Sequence, residues 1–161
     1  VRCTLIVVGL SVAYAFLPLR DTYWWVGPTI GLVLLAGTLP VAVRRLRKVL
    51  ASDHPMVDAV EGLVLVVAMM VVGFASLYYA IDSSHDQFNG LETRIDSLYF
   101  TVTTLSTVGF GDITATSQKA RFIVTGQILI DLAFIGVAVR VFGNVATSRR
   151  KSENRKDPLD D

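Results

Sequence analysis

Thr104-Leu105-Ser106-Thr107-Val108-Gly109-Phe110-Gly111-Asp112 decides the reading of this chain. Apolar segments long enough to cross a bilayer flank it on both sides. Its Gly-x-Gly alternation suits a backbone whose carbonyls all point one way. In an L-residue chain, successive carbonyls face one side only where residues alternate between the two hands of backbone conformation. Gly109 and Gly111 take the left-handed share at little steric cost. Four such strands around an axis form stacked rings of oxygens that can replace the water around a bare cation. The Thr107 hydroxyl would add a further ring at the inner end.

Composition agrees with a membrane setting. Of the 161 residues, 52% are hydrophobic, and the mean hydropathy is positive, which separates the chain from soluble globules. The net charge of +1 carries little information because the charges are segregated along the sequence. The single cysteine, Cys3, permits no intrachain disulfide. His54 and His85 stand far apart in polar stretches and read as unrelated surface residues. No nucleophile–base pair and no metal-ligand cluster has a useful spacing, so an enzyme is not expected. Nor is a nucleic-acid partner.

Four apolar runs follow one another. The first, Cys3 to Leu19, is of marginal spanning length, ends at Pro18-Leu19-Arg20 and lacks a small-x-small cleavage site. The second, Thr22 to Val43, opens with the interface aromatics Tyr23-Trp24-Trp25 and ends in Arg44-Arg45-Leu46-Arg47-Lys48. A third extends from about Met56 to Ile81, closing with Tyr78-Tyr79, and a fourth from about Lys119 to Thr147. A helix of this last length reaches ~40 Å, enough to cross the hydrocarbon and emerge. Basic residues gather at 44–48 and again from Arg149 to Lys156. The positive-inside rule therefore places both termini and the 44–55 loop in the cytoplasm of a multi-pass cell-membrane protein. The bases at 44–48 are bunched, not spaced at every third position. Residues 41–50 thus read as an interfacial helix with snorkelling bases rather than a voltage sensor. Asp53-His54-Pro55 should break it.

Thr104-x-x-Thr107-Val108-Gly109-Phe110-Gly111-Asp112 resembles the signature of the potassium-channel pore family, in the variant with Phe where Tyr is commoner. The resemblance runs from roughly Val57 to Arg149 and leaves out the first two apolar segments. It implies an all-α membrane fold: four transmembrane helices with a re-entrant pore helix and filter, assembled as a C4 homotetramer in the lipid bilayer. One motif per chain requires four chains to close a ring. Three regions follow: 1–55, two helices and a basic linker; 56–147, the pore domain; and 148–161, a charged tail expected to be disordered. Each K⁺ would exchange water for carbonyls of Thr107, Val108, Gly109 and Phe110, with Gly111 and Asp112 forming the outer mouth. The pore helix, Arg94 to Ser106, starts with a capping box of Thr93 and Asp96, and its Thr104 supports the filter. In the family the acid after the filter is tied to a pore-helix aromatic, here Tyr99. An acidic partner found in some members is replaced by Thr103. A cation channel of relaxed selectivity is the alternative, and the intact Val108-Gly109-Phe110-Gly111 speaks against it.

The last apolar run carries Asp131 and Arg140 at membrane depth. Its run Ile130 to Gly136 resembles the inner helix of inwardly rectifying potassium channels, whose acid draws cations and intracellular blockers such as Mg²⁺ or polyamines. Asp131 therefore either lines the cavity or packs behind the pore helix, and the sequence leaves both open. Leu132, Ile135 and Val139 are candidates for an apolar cavity wall, and Gly136 and Gly143 for a bend or a close helix contact. Glu61 is the expected partner of Arg140, against snorkelling as the alternative.

Overall fold

The computed structural model describes residues 9, 14, 26–50, 55–85 and 87–153. The first apolar run apart from Gly9 and Tyr14, the aromatics at 23–25, the expected break at 51–54 and the tail beyond 153 lie outside the described residues. Helix α1 is Val26–Leu50, α2 is Pro55–His85, α3 is Arg94–Leu105 and α4 is Gln118–Glu153. A two-stranded ribbon pairs β1 (Phe88–Asn89) with β2 (Thr114–Ala115). Helices α1, α2 and α4 are long and apolar enough to cross a membrane. The fold is that of an all-α membrane protein.

Helices α1 and α2 pack antiparallel. A side chain added at Gly31 would meet Gly73 and Leu77, one at Gly37 would meet Met69, and one at Gly62 would meet Arg45. Small residues let the two backbones approach, and close packing holds helices together where lipid removes the hydrophobic driving force. The Gly31 side of this contact is closed to any larger residue, because a Cβ there would lie 2.8 Å from the Gly73 carbonyl oxygen. At the other end of the pair, Arg45 meets Glu61 at 3.6 Å and Lys48 meets Asp58. The two pairs are spaced three residues apart on each helix, Arg45 and Lys48 on α1 and Asp58 and Glu61 on α2, so one face of α1 reads one face of α2.

These contacts correct two expectations. Residues 41–50 are not a separate interfacial helix; they continue α1 without a break, because Arg45 and Lys48 are held to α2. Glu61, expected to pair with Arg140, lies 3.6 Å from Arg45 across the α1–α2 contact. Pro40 sits inside α1, where proline removes one ladder hydrogen bond, a loss that membrane helices tolerate. Pro55 opens α2 at the first helical position, where its missing N–H is of no consequence.

The core lies between α2 and α3. Tyr78, Phe88 and Phe100 form a mutual edge-to-face trio with centroids 5.3–5.4 Å apart, and Phe74 stacks on Tyr78. Such pairs add ~0.5–1.5 kcal/mol each beyond area burial. Tyr14, from the first apolar run, also enters the core. Its hydroxyl donates to the Arg94 carbonyl at 2.8 Å and lies 2.7 Å from Ser97 Oγ, while Arg94 Nη1 donates to the Tyr14 carbonyl. Arg94 also lies 5.5 Å over the Tyr79 ring.

Helix α3 begins as its sequence dictates. Thr93 is the N-cap; its hydroxyl accepts from Asp96 N at 3.2 Å, and Asp96 Oδ2 accepts from Thr93 N at 2.7 Å and Glu92 N at 3.1 Å. Asp82, just past the apolar run that ends near Ile81, is buried near the end of α2. Its carboxylate accepts from Phe88 N at 2.7 Å and so starts the ribbon. Helix α4 runs unbroken through Gly136 and Gly143 and past Ser148 to Glu153, so the tail expected to be disordered from 148 is helical for its first residues.

The capping box sets an acid limb of stability. The slight burial of Asp96 pushes its carboxyl up, but the hydrogen bonds from Thr93 and Glu92 outweigh this and hold it below the usual carboxylate range. A lowered native value stabilises the fold above the ordinary range near pH ~4 and loses that contribution as pH falls through the native value. Thr93→Ala should cost ~1 kcal/mol. Asp96→Asn should flatten the stability loss below pH ~4; thermal unfolding across that range checks both.

Candidate ion-conducting segment

The chain leaves α3 without leaving its hydrogen bonds behind. Ser106 N donates to Val102 O at 2.9 Å and Thr107 N to Thr104 O at 2.9 Å. The amides of Val108 and Gly109 both turn back to the Thr103 carbonyl, at 3.0 and 3.3 Å. A helix leaves its last carbonyls without intrahelical partners. Here the end of α3 offers those carbonyls to a strand whose N–H groups need them.

The backbone then alternates. Thr107, Gly109 and Gly111 have φ of +60°, +53° and +80°, while Val108 and Phe110 between them do not take positive φ. This is the alternation of hands that directs successive carbonyls to one side. The sequence assigns the left-handed share to the two glycines; Thr107 takes it as well. A β-branched residue at positive φ is a steric outlier, costing roughly 1–2 kcal/mol. It persists where surrounding contacts over-determine it, and the amides on either side of its α-carbon, those of Thr107 and Val108, are both anchored to α3.

Thr103 is the residue that side-chain reasoning passes over. The sequence marks it as a missing acidic brace, yet its backbone oxygen serves the segment. Its own hydroxyl donates to the Phe100 carbonyl, as does that of Thr104. No side-chain signal could have found this role, since a carbonyl is common to every residue.

At the far end of the segment, Tyr99 of α3 does two jobs. Its ring stacks on Phe110, with centroids 6.2 Å apart and planes 5° from parallel. The Asp112 carboxylate beside its hydroxyl pushes the phenol above its usual range. Tyr99 therefore remains a donor at any physiological pH. Asp112 also accepts from Ile113 N at 3.1 Å. The β1–β2 ribbon fixes the approach, with Phe88 opposite Ala115 and Asn89 opposite Thr114. Gly90 follows at φ +81°, and a Cβ there would lie 2.9 Å from the Asp112 carbonyl oxygen.

Helix α4 presents two faces. Leu132, Ile135 and Val139 are exposed on the single chain, as are Val108 and Phe110. Gly136 and Gly143 are exposed too, and a methyl at either would meet nothing of the chain within 4 Å. Asp131 differs: it is only 3% exposed and lies behind α3. Its Oδ2 accepts from Gln127 Nε2 at 3.1 Å. Of the two arrangements open to Asp131 in the sequence, the chain adopts the packed one, and Asp131 does not line the exposed stripe.

The chain matches the ion-channel family over residues 65–148, more than half of its length. It belongs to that family. The match takes in most of α2, the whole of α3 with its following segment, and most of α4. This ion channel is 32% identical over 72 residues to two pore potassium channel b of Oryza sativa subsp. japonica, covering 45% of this chain and 20% of that protein. It is 34% identical over 90 residues to calcium-activated potassium channel slo-1 of Caenorhabditis elegans, covering 53% of this chain and 8% of that protein. It is 28% identical over 106 residues to potassium channel K2 of Plasmodium berghei, covering 58% and 7%. The chain thus spans a fifth or less of these relatives' own length. No solved structure matches it.

Gly90→Ala should disturb the outer end of the segment. The new methyl meets the backbone of Asp112 and occupies a left-handed position, for a cost of roughly 1–3 kcal/mol. A lowered thermal midpoint, with native helix content by circular dichroism, is the expected result.

Proposed function

We propose that the chain is one subunit of a homotetrameric, potassium-selective channel in which residues 107–111 of four copies form the filter. The observation that carries this reading is the alternation of backbone hand at Thr107, Gly109 and Gly111 with the neighbouring amides turned toward Thr103. A strand whose N–H groups are taken on one side has its carbonyls for an ion on the other. Carbonyls of Thr107, Val108, Gly109 and Phe110 would bind dehydrated K⁺ in adjacent sites. Repulsion between neighbouring ions keeps tight coordination from stopping flow. The relatives named as potassium channels support the choice of ion.

Four copies supply what one lacks. Val108 is 54% exposed and Phe110 68% exposed on the single chain, and neighbouring strands of a ring would cover them. The exposed stripe of Leu132, Ile135 and Val139 would form the wall of a central cavity, and Gly136 and Gly143 the places where α4 bends or meets its neighbours. Helix α3 would point its carbonyl end at that cavity, where its dipole favours a cation. The distribution of basic residues supports cytoplasmic termini in the cell membrane and a filter in the outer half. With Asp131 turned into the chain, internal Mg²⁺ or polyamines have no acid at that position to bind. Asp131→Asn should therefore leave their block unchanged.

Purified protein in planar bilayers tests the proposal. A reversal potential that follows the K⁺ gradient and ignores Na⁺, with a solution mass of four subunits, is expected. Gly109→Ala should assemble yet abolish or de-select the current, because a Cβ at φ +53° strains the alternation. Currents carried equally by Na⁺ would favour the relaxed cation channel instead.

A further inference from the structure

One side-chain amide joins three elements behind the conducting segment. Gln127 of α4 is 1% exposed. Its Oε1 accepts from the Tyr78 hydroxyl of α2 at 2.5 Å, and Tyr78 is fully buried. Its Nε2 faces two acceptors: Asp131 Oδ2 at 3.1 Å and the Thr101 carbonyl of α3 at 3.4 Å. Among the described residues, Asp131 Oδ1 has no hydrogen-bond partner within the chain. The Gln127 amide is thus the side-chain donor on which that buried carboxylate depends, and the carboxylate in turn fixes which way the amide points.

The position matters more than the burial. Thr101 stands two residues before Thr103, whose carbonyl holds the amides of Val108 and Gly109. Helix α3 is rigid between the two residues, so a pull on the Thr101 carbonyl moves the Thr103 carbonyl with it. We propose that Gln127 is a positioning residue for the conducting segment. Through it, α4 and α2 hold α3 at the depth and rotation that keep residues 107–111 in their alternating form. The inference rests on the channel function proposed above.

Such a role predicts a defect of a particular kind. An ion that binds only the alternating form stabilises that form by mass action. A segment loosened from behind should therefore be rescued by more K⁺, whereas a gate altered in α4, or a fold merely weakened, should not. Gln127→Met keeps volume and removes both the donor and the acceptor. Tyr78→Phe removes only one hydroxyl and serves where the first variant does not assemble.

Both variants and wild type are compared as tetramers in bilayers, by single-channel recording over a series of external K⁺ concentrations. A wild type without K⁺-selective current defeats the proposed function before any variant is read. Given that current, open dwell times in Gln127→Met should shorten about fivefold at low K⁺, the worth of one net hydrogen bond. They should recover as K⁺ rises, with Tyr78→Phe showing a smaller change in the same direction. Dwell times unchanged from wild type, or shortened equally at every K⁺ concentration, overturn the proposal. Failure of both variants to assemble overturns it too, since the network would then serve folding alone.

Discussion

Everything near residues 107–111 depends on where their amide hydrogens go. Between membrane-spanning helices there is little water to take them, and an unpaired backbone group there costs several kcal/mol. Helix α3 meets the need with a deficit of its own. The carbonyl of Thr103, near the helix end, accepts from Val108 and Gly109, and Thr104 accepts from Thr107. Two sets of groups that would each be orphaned satisfy one another. The arrangement commits the N–H edge of the strand and leaves the opposite edge uncommitted.

That solution works only if α3 itself is held still. Its first turn is closed by its own Thr93–Asp96 box and by Tyr14, which reaches it from a distant part of the sequence. Its middle is wedged by the Tyr78–Phe88–Phe100 trio. Its inner flank meets Gln127. Hydrogen bonds and close aromatic contacts carry this duty because lipid offers no hydrophobic drive to press helices together. The cost of the left-handed Thr107 is borne by the same frame.

The spans and the segment were legible in the sequence because each rests on a local signal. Apolar length marks α1, α2 and α4, alternating glycines mark 107–111, and Thr93 with Asp96 marks the start of α3. Tyr99 was marked through the family pattern, and its ring stacks on Phe110 with the Asp112 carboxylate beside its hydroxyl. What the sequence did not carry is pairing at a distance. Glu61 found Arg45 because α1 and α2 run antiparallel in a register that hydropathy does not encode. Asp131 could not be oriented from its own helix alone, since its partner Gln127 is held in turn by Tyr78 of α2 and the Thr101 carbonyl of α3. The ribbon of β1 with β2 is too short for any periodicity to announce it, and the positive φ of Thr107 contradicts its side chain's preference.

The ribbon also bears on how such chains diversify. It brings Asn89 opposite Thr114, so the intervening stretch leaves and re-enters at points roughly 5 Å apart. Much of what shapes the segment between those points — cap, short helix, turn-back and aromatic prop — travels with the stretch as a closed loop. A unit with adjacent ends can be carried by scaffolds of very different size, since its geometry asks little of what lies beyond the two helices that bracket it. Relatives in which the matched region is a small fraction of the polypeptide are what such portability would produce.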